Sequence, residues 1–224
     1  MKIINILLDA IQDEDIAAVR SILLDHPELI DSTGNFGATP LMSAVSCIER
    51  SIDVINVILA AGANINFQTS EGYSALHCAV GVDGEARLNT VEVLERLIAA
   101  GANLELRQHY GWTPLLRAVV EGSVLEVKIL LAAGSNPNVT LPADTLPTFN
   151  AGNTTLMAAV TNIDAEEIVE ALLAAGADPM KTAANGETFF DYVEASQAEA
   201  ETSEFVMILQ RCLDIAKNWG KCFH

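Results

Sequence analysis

The chain has 224 residues, of which half are apolar and only 5% are aromatic, so Ala, Leu, Ile and Val can build a continuous core. Thirty Asp and Glu against twelve Lys and Arg give a formal net charge of −18, and such a field repels phosphate backbones and anionic membranes. This composition argues against a disordered chain, a nucleic-acid-binding protein and a protein that binds a membrane.

The N-terminal segment predicts the start of a helix rather than a secretion signal. Its apolar run is interrupted by Asn5 and soon meets the acids Asp13, Glu14 and Asp15. No uninterrupted apolar stretch approaches the ~18–20 residues that a membrane-spanning helix needs. The four cysteines show no CxxC pairing, which favours a reducing compartment. We therefore expect a cytoplasmic protein, and export by a route without a visible signal stays open.

Acidic residues concentrate in the second half of the sequence. Residues 141–210 hold twelve acids and one base, whereas residues 211–224 hold three bases and one acid. Two interpretations stay open: a solvated surface that keeps the protein soluble, and an acidic flank that steers a basic partner.

One phrase recurs four times, and its period indicates a repeat architecture. It reads Ala-Ala-Gly-Ala-Asn at 60–64 and 99–103, Ala-Ala-Gly-Ser-Asn at 132–136 and Ala-Ala-Gly-Ala-Asp at 174–178. A second glycine precedes a Thr-Pro-Leu-like segment, at Gly37, Gly72, Gly111, Gly152 and Gly186. Self-similarity at such a period is typical of a stacked solenoid, which builds an extended surface rather than one deep cleft.

The sequence predicts two helices after each glycine that precedes a Thr-Pro-Leu-like segment. Hydroxyl residues are placed to cap the first helix, and proline suits the first helical position, as in Thr39-Pro40, Ser74-Ala75, Thr113-Pro114 and Thr154-Thr155. The second helix is longer and apolar, and it ends at the glycine of the Ala-Ala-Gly phrase, which tolerates a left-handed C-cap. The polar residues that come next, as in 64–69, suit a projecting hairpin.

Four segments resemble ankyrin repeats, and several such units in register are a specific signal. They read Gly-Ala-Thr-Pro-Leu-Met-Ser-Ala-Val at 37–45, Gly-Tyr-Ser-Ala-Leu-His-Cys-Ala-Val at 72–80, Gly-Trp-Thr-Pro-Leu-Leu-Arg-Ala-Val at 111–119 and Gly-Asn-Thr-Thr-Leu-Met-Ala-Ala-Val at 152–160. The resemblance implies an all-α solenoid in which helix-turn-helix pairs are joined by β-hairpin fingers.

The resemblance also implies one ankyrin-repeat domain, 1–224, made of repeats between two caps. Residues 1–34 would form an N-terminal capping helix pair, and 183–224 a degenerate C-terminal repeat whose second helix covers 203–217. The repeats would be 35–69, 70–107, 108–140 and 149–182, with an insertion at 140–149. A second insertion of about six residues lies near 82–87. Insertions in repeat proteins map to loops on one face, often the binding face.

Only one of the four motifs keeps the histidine of the family, at His77, whereas Met42, Leu116 and Met157 replace it. In the family this histidine ties neighbouring turns together by hydrogen bonds. The resemblance therefore implies a structural role for His77 rather than a role as a catalytic base. It also implies weaker connections between neighbouring turns at the other three positions.

The family binds partners through a concave surface made of finger tips and the exposed side of each first helix. Carried onto this sequence, the candidate tip residues are Asn35, Phe36, Ala38, Ser70, Glu71, Tyr73, His109, Tyr110, Trp112, Asn150, Ala151 and Asn153. The helix side adds Ser46, Cys47, Gly81, Val82, Val120, Glu121, Thr161 and Asn162. Exposed aromatic residues are enriched in binding hot spots. The alternative for the tip aromatics is that they pack against neighbouring fingers.

The leading hypothesis is a monomeric protein–protein interaction module, without cofactor, that binds a folded and basic partner through this concave face. Two narrower versions stay open: an immunity-type inhibitor of a basic enzyme or toxin, and a secreted effector that binds a host protein. No Gly-rich phosphate loop, HExxH or GxSxG is present, so we expect no enzymatic activity. A different class of function, that of a metal-dependent or enzymatic protein, would use Cys212, Cys222 and His224, although their spacing matches no usual metal-site pattern. A passive spacer would bind no partner at all.

Overall fold

Short helices alternate with turns throughout the part of the chain that the computed structural model describes, which is residues 3–34, 37–47, 51–80, 89–121, 123–141, 152–199 and 203–219. These residues form twelve α-helices and one short 3-10 helix, Pro27–Leu29, and no strand is assigned among them. The predicted all-α fold class is confirmed.

The chain divides into two compact units, Met1–His109 and Tyr110–His224. The helices of the first unit are α1 (Ile3–Gln12), α2 (Ile16–Asp25), α3 (Pro40–Ser46), α4 (Ile52–Ala60), α5 (Ala75–Ala79) and α6 (Thr90–Ala99). Those of the second are α7 (Pro114–Glu121), α8 (Val124–Ala132), α9 (Thr155–Ala159), α10 (Ala165–Ala174), α11 (Phe189–Glu199) and α12 (Ser203–Trp219). The repeat boundaries drawn from the sequence, and their grouping into a single domain, stay predictions.

Within each unit the helices form two layers. In the second unit α9 packs between α7 and α11, and α10 packs between α8 and α12. In the first unit α3 packs between α1 and α5, while α2 packs against α4. The second helix of each pair buries one apolar face. In α4 this face consists of Val54, Ile55 and Ile58, which have the spacing of one side of a helix.

In each repeat with a Thr-Pro-Leu-like segment, the first helix begins directly after the hydroxyl residue that was predicted to cap it. The side-chain oxygens of Thr39, Ser74, Thr113 and Thr154 each accept a hydrogen bond, 3.2–3.4 Å long, from the backbone N–H three residues later. Each cap satisfies a donor that the helix cannot satisfy itself and contributes about 1 kcal/mol. The start of these helices is therefore encoded locally.

Two glycines show why the repeat needs this residue at two places. Gly62 ends α4 with a φ of +90° and has open space where a side chain would begin, so backbone conformation alone favours glycine there. Gly72 has a φ of +79°, and a Cβ at this position would lie 2.7 Å from the Cα of Gln108. Gly72 is thus required both by conformation and by close packing.

One asparagine in each unit joins consecutive repeats, a connection that the sequence analysis did not predict. The Oδ1 of Asn66 accepts from the N–H of Asn103 at 2.7 Å, and its Nδ2 donates to the carbonyl of Gly101. Asn138 repeats both bonds, at 2.8 Å from the N–H of Asp178 and 2.9 Å from the carbonyl of Gly176. We call each such pair of bonds an asparagine bridge. The two bridges hold adjacent repeats at a fixed spacing.

Candidate functional site: finger tips and first helices

The finger at 68–73 is a tight turn closed by its own backbone. The N–H of Thr69 donates to the carbonyl of Tyr73 at 3.0 Å, and the N–H of Gly72 donates to the carbonyl of Thr69 at 2.8 Å. The turn therefore has the hydrogen bonds of a hairpin end, although no strand is assigned in the described part of the finger.

Neighbouring finger tips of the first unit are bonded to each other. The N–H of His109 donates to the carbonyl of Glu71 at 2.7 Å. The amide of Gln68 donates to the carbonyls of Gly72 at 2.7 Å and Arg107 at 3.0 Å. The side chains of Glu71 and His109 are exposed, so the structure brings together at the tips two predicted contact residues that have exposed side chains.

Tyr73 lies at the base of the same tip and is half-buried. Its ring packs edge-on against the ring of His77, with centroids 6.1 Å apart. The Nδ1 of His77 accepts from the N–H of Ser74 at 3.3 Å and lies 2.8 Å from the hydroxyl of Ser74. Because Nδ1 accepts from a backbone donor, this nitrogen carries no proton. The fully buried His77 completes a capping box at the start of α5, which is a structural arrangement.

Tyr110 and Trp112 open the second unit and flank Gly111, just before α7. Both rings are half-buried, so each offers part of its surface to solvent and part to the protein. Glu121, at the end of α7, accepts from the Nε of Arg117 at 3.1 Å, and this ion pair fixes the carboxylate one helical turn from its partner.

The two asparagines predicted as contacts in the second unit are engaged within the fold. Asn153 is half-buried and lies beside Tyr192, where burial raises the pKa of the tyrosine hydroxyl and Asn153 lowers it. Asn162 is only 9% exposed, and its Nδ2 donates to the carbonyl of Val119 at 3.0 Å while its Oδ1 accepts from the N–H of Asp164 at 2.9 Å. The amide of Asn162 is therefore used to join α7 to the α9–α10 turn.

Hydroxyl and thiol groups on the helix side turn back onto their own helices. Ser46 donates to the carbonyl of Met42 at 2.7 Å, Cys47 to that of Ser43 at 3.2 Å, and Thr161 to that of Ala158 at 2.8 Å. Their polar atoms thus have partners inside the helix or turn that carries them.

Several predicted features lie outside the described residues. Among them are Asn35 and Phe36, the insertion near 82–87, and most of the insertion at 140–149. The base of that longer insertion is described, because the N–H of Leu141 donates to the carbonyl of Asn153 and the N–H of Thr155 to that of Val139, each at 3.0 Å. The insertion therefore leaves and re-enters the fold through a short antiparallel bridge.

The metal hypothesis finds no cluster to support it in the described ranges, where no group of three His, Cys, Asp or Glu residues could hold an ion. Cys212 is buried in α12, and burial, followed by the charge of Glu166, raises the pKa of its thiol to about 12. At neutral pH this thiol is protonated, so a metal ion would have to displace its proton on binding. Cys222 and His224 lie outside the described residues. No helix in the described part of the chain is long and apolar enough to cross a membrane.

Comparison with known proteins agrees with this architecture. A family model described as ankyrin repeats (3 copies) matches residues 46–140 and 84–183. The crystal structure of an ankyrin repeat domain from Acinetobacter baumannii AYE is similar at a TM-score of 0.70 and 26% identity, over 94% of this chain and 97% of that one. The ankyrin repeat protein EF0377 is similar at a TM-score of 0.68 and 26% identity, over 91% and 96%.

A third similar structure is the complex of the predatory endopeptidase Bd0816 from Bdellovibrio bacteriovorus with the immunity protein Bd3460. The match has a TM-score of 0.67 and 22% identity, and it covers 92% of this chain and 96% of the matched chain. At this identity the likeness concerns the fold.

Proposed function

This chain belongs to the ankyrin-repeat family, and from that premise we propose that it binds a folded partner protein with a basic surface through its finger tips. Ankyrin repeats indicate a protein–protein interaction module, and the fold is a non-enzymatic scaffold. The observation that carries the proposal is the 2.7 Å bond between the backbones of Glu71 and His109, whose side chains are both exposed.

Backbone bonding between the tips supports binding because it orders the surface in advance. Most of the polar backbone of the finger is satisfied inside the protein, so a partner meets side chains on a rigid support. Association then costs less conformational entropy than it would with mobile loops. The proposed contact residues are Glu71, Tyr73, His109, Tyr110, Trp112, Glu121 and Asn153, and Asn35 and Phe36 stay in the proposal as predictions. Asn162 is left out because its amide is buried and bonded.

Charge supports a basic partner. The net charge is −18, and residues 141–210 contribute twelve acids against one base. A field of this sign raises the association rate of a basic surface and lowers that of an acidic one. Cys47, Cys78 and Cys212 form no disulfide bond within the described residues, which fits the reducing cytoplasm that we propose as its location.

The test begins by immobilising this protein and using it to capture its partner from an extract of the native organism. The partner is then purified, and its affinity for this protein is measured by calorimetric titration. We expect Glu71→Ala with His109→Ala to raise the Kd by about tenfold or more, and Tyr110→Ala with Trp112→Ala to do the same. The exposed residue Leu24 on α2 supplies the control, because Leu24→Ala trims an exposed side chain away from the tips. An unchanged Kd in both double variants, with circular dichroism intact, rejects the finger site.

A second candidate function, an immunity-type inhibitor of a basic enzyme, is favoured by one observation. The fold matches a chain in the complex of an endopeptidase with an immunity protein, and the acidity of the present chain suits the blocking of a basic enzyme. If the purified partner is an enzyme, stoichiometric loss of its activity supports this version. An association rate that is independent of salt argues against electrostatic blocking.

A further inference from the structure

An elongated furrow runs along the packed pair α10 and α12, on the layer of second helices in the second unit. It consists of two adjoining depressions, of about 430 Å³ and 370 Å³. Glu166 and Arg211 line both depressions, and the 2.9 Å ion pair between them lies at the point where the depressions meet. The furrow is formed by α10, α12 and the turn before α10, and its described lining includes no residue of the fingers that precede α9 and α11.

Apolar side chains line each depression. Ile215 and Trp219 lie in the first, and Ile163, Met207 and Ile208 in the second. Ile163, in the turn before α10, is 91% exposed, and Met207, on α12, is 55% exposed. Large apolar side chains grouped in a concave surface favour contact with a partner over contact with water.

Carboxylates dominate the walls of the furrow. The acidic side chains in its lining are Asp164, Glu166, Glu167, Glu170 and Asp214. Among the described residues, the one cation in the lining is Arg211, which is bound to Glu166, and Lys128 lies 3.8 Å from Glu167. The potential along the furrow is therefore negative, with Glu170 and Asp214 beside the depression that holds Trp219.

We propose that this furrow binds a basic amphipathic helix of a partner protein. Apolar side chains from one face of that helix would fill the two depressions, and flanking Lys or Arg side chains would meet the carboxylates, which is the helix-in-groove mode of recognition. The lining of the furrow runs along α12 from Met207 to Trp219, a span of about 18 Å that accommodates roughly three turns of a bound helix. This surface is additional to the finger tips and does not depend on them.

The probe is a fluorescently labelled helical peptide of about 18 residues, with leucine on one face and lysine on the other. A matched peptide carries glutamate in place of lysine. Fluorescence anisotropy with the full chain should show saturable binding of the lysine peptide and none of the glutamate peptide.

Charge variants separate the furrow from the general acidity of the protein. Glu170→Gln with Asp214→Asn should raise the Kd about tenfold. Asp13→Asn with Glu95→Gln removes the same charge from exposed positions of the first unit and should change the Kd by less than about twofold. Equal losses in the two double variants mean that binding reflects net charge alone, and the proposal is then wrong.

An apolar variant and a measurement of self-association complete the test. Ile163→Ser should raise the Kd about fivefold, whereas Leu24→Ser, at an exposed aliphatic residue outside the furrow, should not. Tyr110→Ala with Trp112→Ala should leave peptide binding intact, so the finger site and the furrow can fail separately. An unaffected Kd in Ile163→Ser overturns the proposal, and so does a dimer, seen by sedimentation, that Ile163→Ser dissociates, because a second copy would then cover the furrow.

Discussion

The backbone of Gln108 lies so close to Gly72 that a Cβ on the glycine would be 2.7 Å from the Cα of Gln108 and 2.9 Å from the carbonyl oxygen of Arg107. One finger of the first unit therefore packs directly on the backbone of the next. The amide of Gln68 bonds to the carbonyls of Gly72 and Arg107 at the same place. The positions of the exposed tip residues Glu71 and His109 thus depend on a residue that has no side chain.

Gly72→Ala should lower the free energy of unfolding by about 3 kcal/mol, because it combines a positive φ with a clash against backbone that cannot rotate away. Gly62→Ala is the matched control, with a φ of +90° and nothing within 4 Å of the added Cβ. The control should cost about 1 kcal/mol from conformation alone. Urea denaturation measures both free energies of unfolding. Equal losses in the two variants would show that packing against the next finger does not add to the cost of Gly72→Ala.

Asn138→Ala should destabilise the second unit by about 2 kcal/mol, since it removes two hydrogen bonds between consecutive repeats. Asn138→Asp keeps the acceptor for the N–H of Asp178 and loses only the donor to Gly176, but it also places a second carboxylate beside Asp178. We therefore expect Asp to rescue little of the loss. Asn218→Ala, on the exposed side of α12, should stay within about 0.5 kcal/mol. Thermal melts followed by circular dichroism give the ranking, and an Asn138 variant that melts like Asn218→Ala contradicts the role of the bridge.

Ser135→Ala should stabilise the protein by about 1 kcal/mol. The side chain of Ser135 is only 4% exposed, and its hydroxyl finds no hydrogen-bond partner in the described residues. The equivalent positions in the other copies of the phrase are Ala63, Ala102 and Ala177, so alanine fits the site. Ser123→Ala, which removes the N-cap of α8, should instead destabilise by about 1 kcal/mol. A lower melting temperature for Ser135→Ala would reveal a partner for its hydroxyl.

The Cys212 thiol should resist alkylation at pH 8 in the native state and react on unfolding. Burial raises its pKa from 9.0 to about 12, so almost no thiolate forms at that pH. By linkage, this group contributes stability that is complete below pH 9 and is lost as the pH rises toward 12. Iodoacetamide labelling followed by peptide mass spectrometry measures the protection. Cys212→Val should reduce the change in the free energy of unfolding with pH above pH 9, and Cys78→Val is the matched control. The same pH dependence in both variants would contradict the raised pKa of Cys212.

The parts of the fold that sequence predicts well are those encoded within a few residues. Thr39 and Thr154 cap helices because the hydroxyl and the third following N–H lie close together in any helix start. The C-terminal helix predicted at 203–217 is observed at Ser203–Trp219 for the same reason, since its apolar spacing is local. Local encoding also explains why the repeat was visible despite its insertions.

Features that depend on contacts between repeats were not visible in the sequence. Asn162 belongs to a position where the family exposes side chains, but the carbonyl of Val119, 43 residues earlier, takes up its amide. The asparagine bridges were missed because their partners lie 35–40 residues away. The recurrence of asparagine four residues after Gly62 and Gly134 was the available signal.

The asparagine bridge also has a consequence for how such a chain can change in length. Apart from the asparagine itself, every atom in the bridge belongs to the backbone of the following repeat. A whole repeat can therefore be added or removed while each remaining bridge still finds a suitable backbone, whatever side chains the new neighbour carries. A single residue inserted between Gly134 and Asn138 would instead displace the amide from both of its partners. The geometry allows growth in complete modules and penalises growth by one residue.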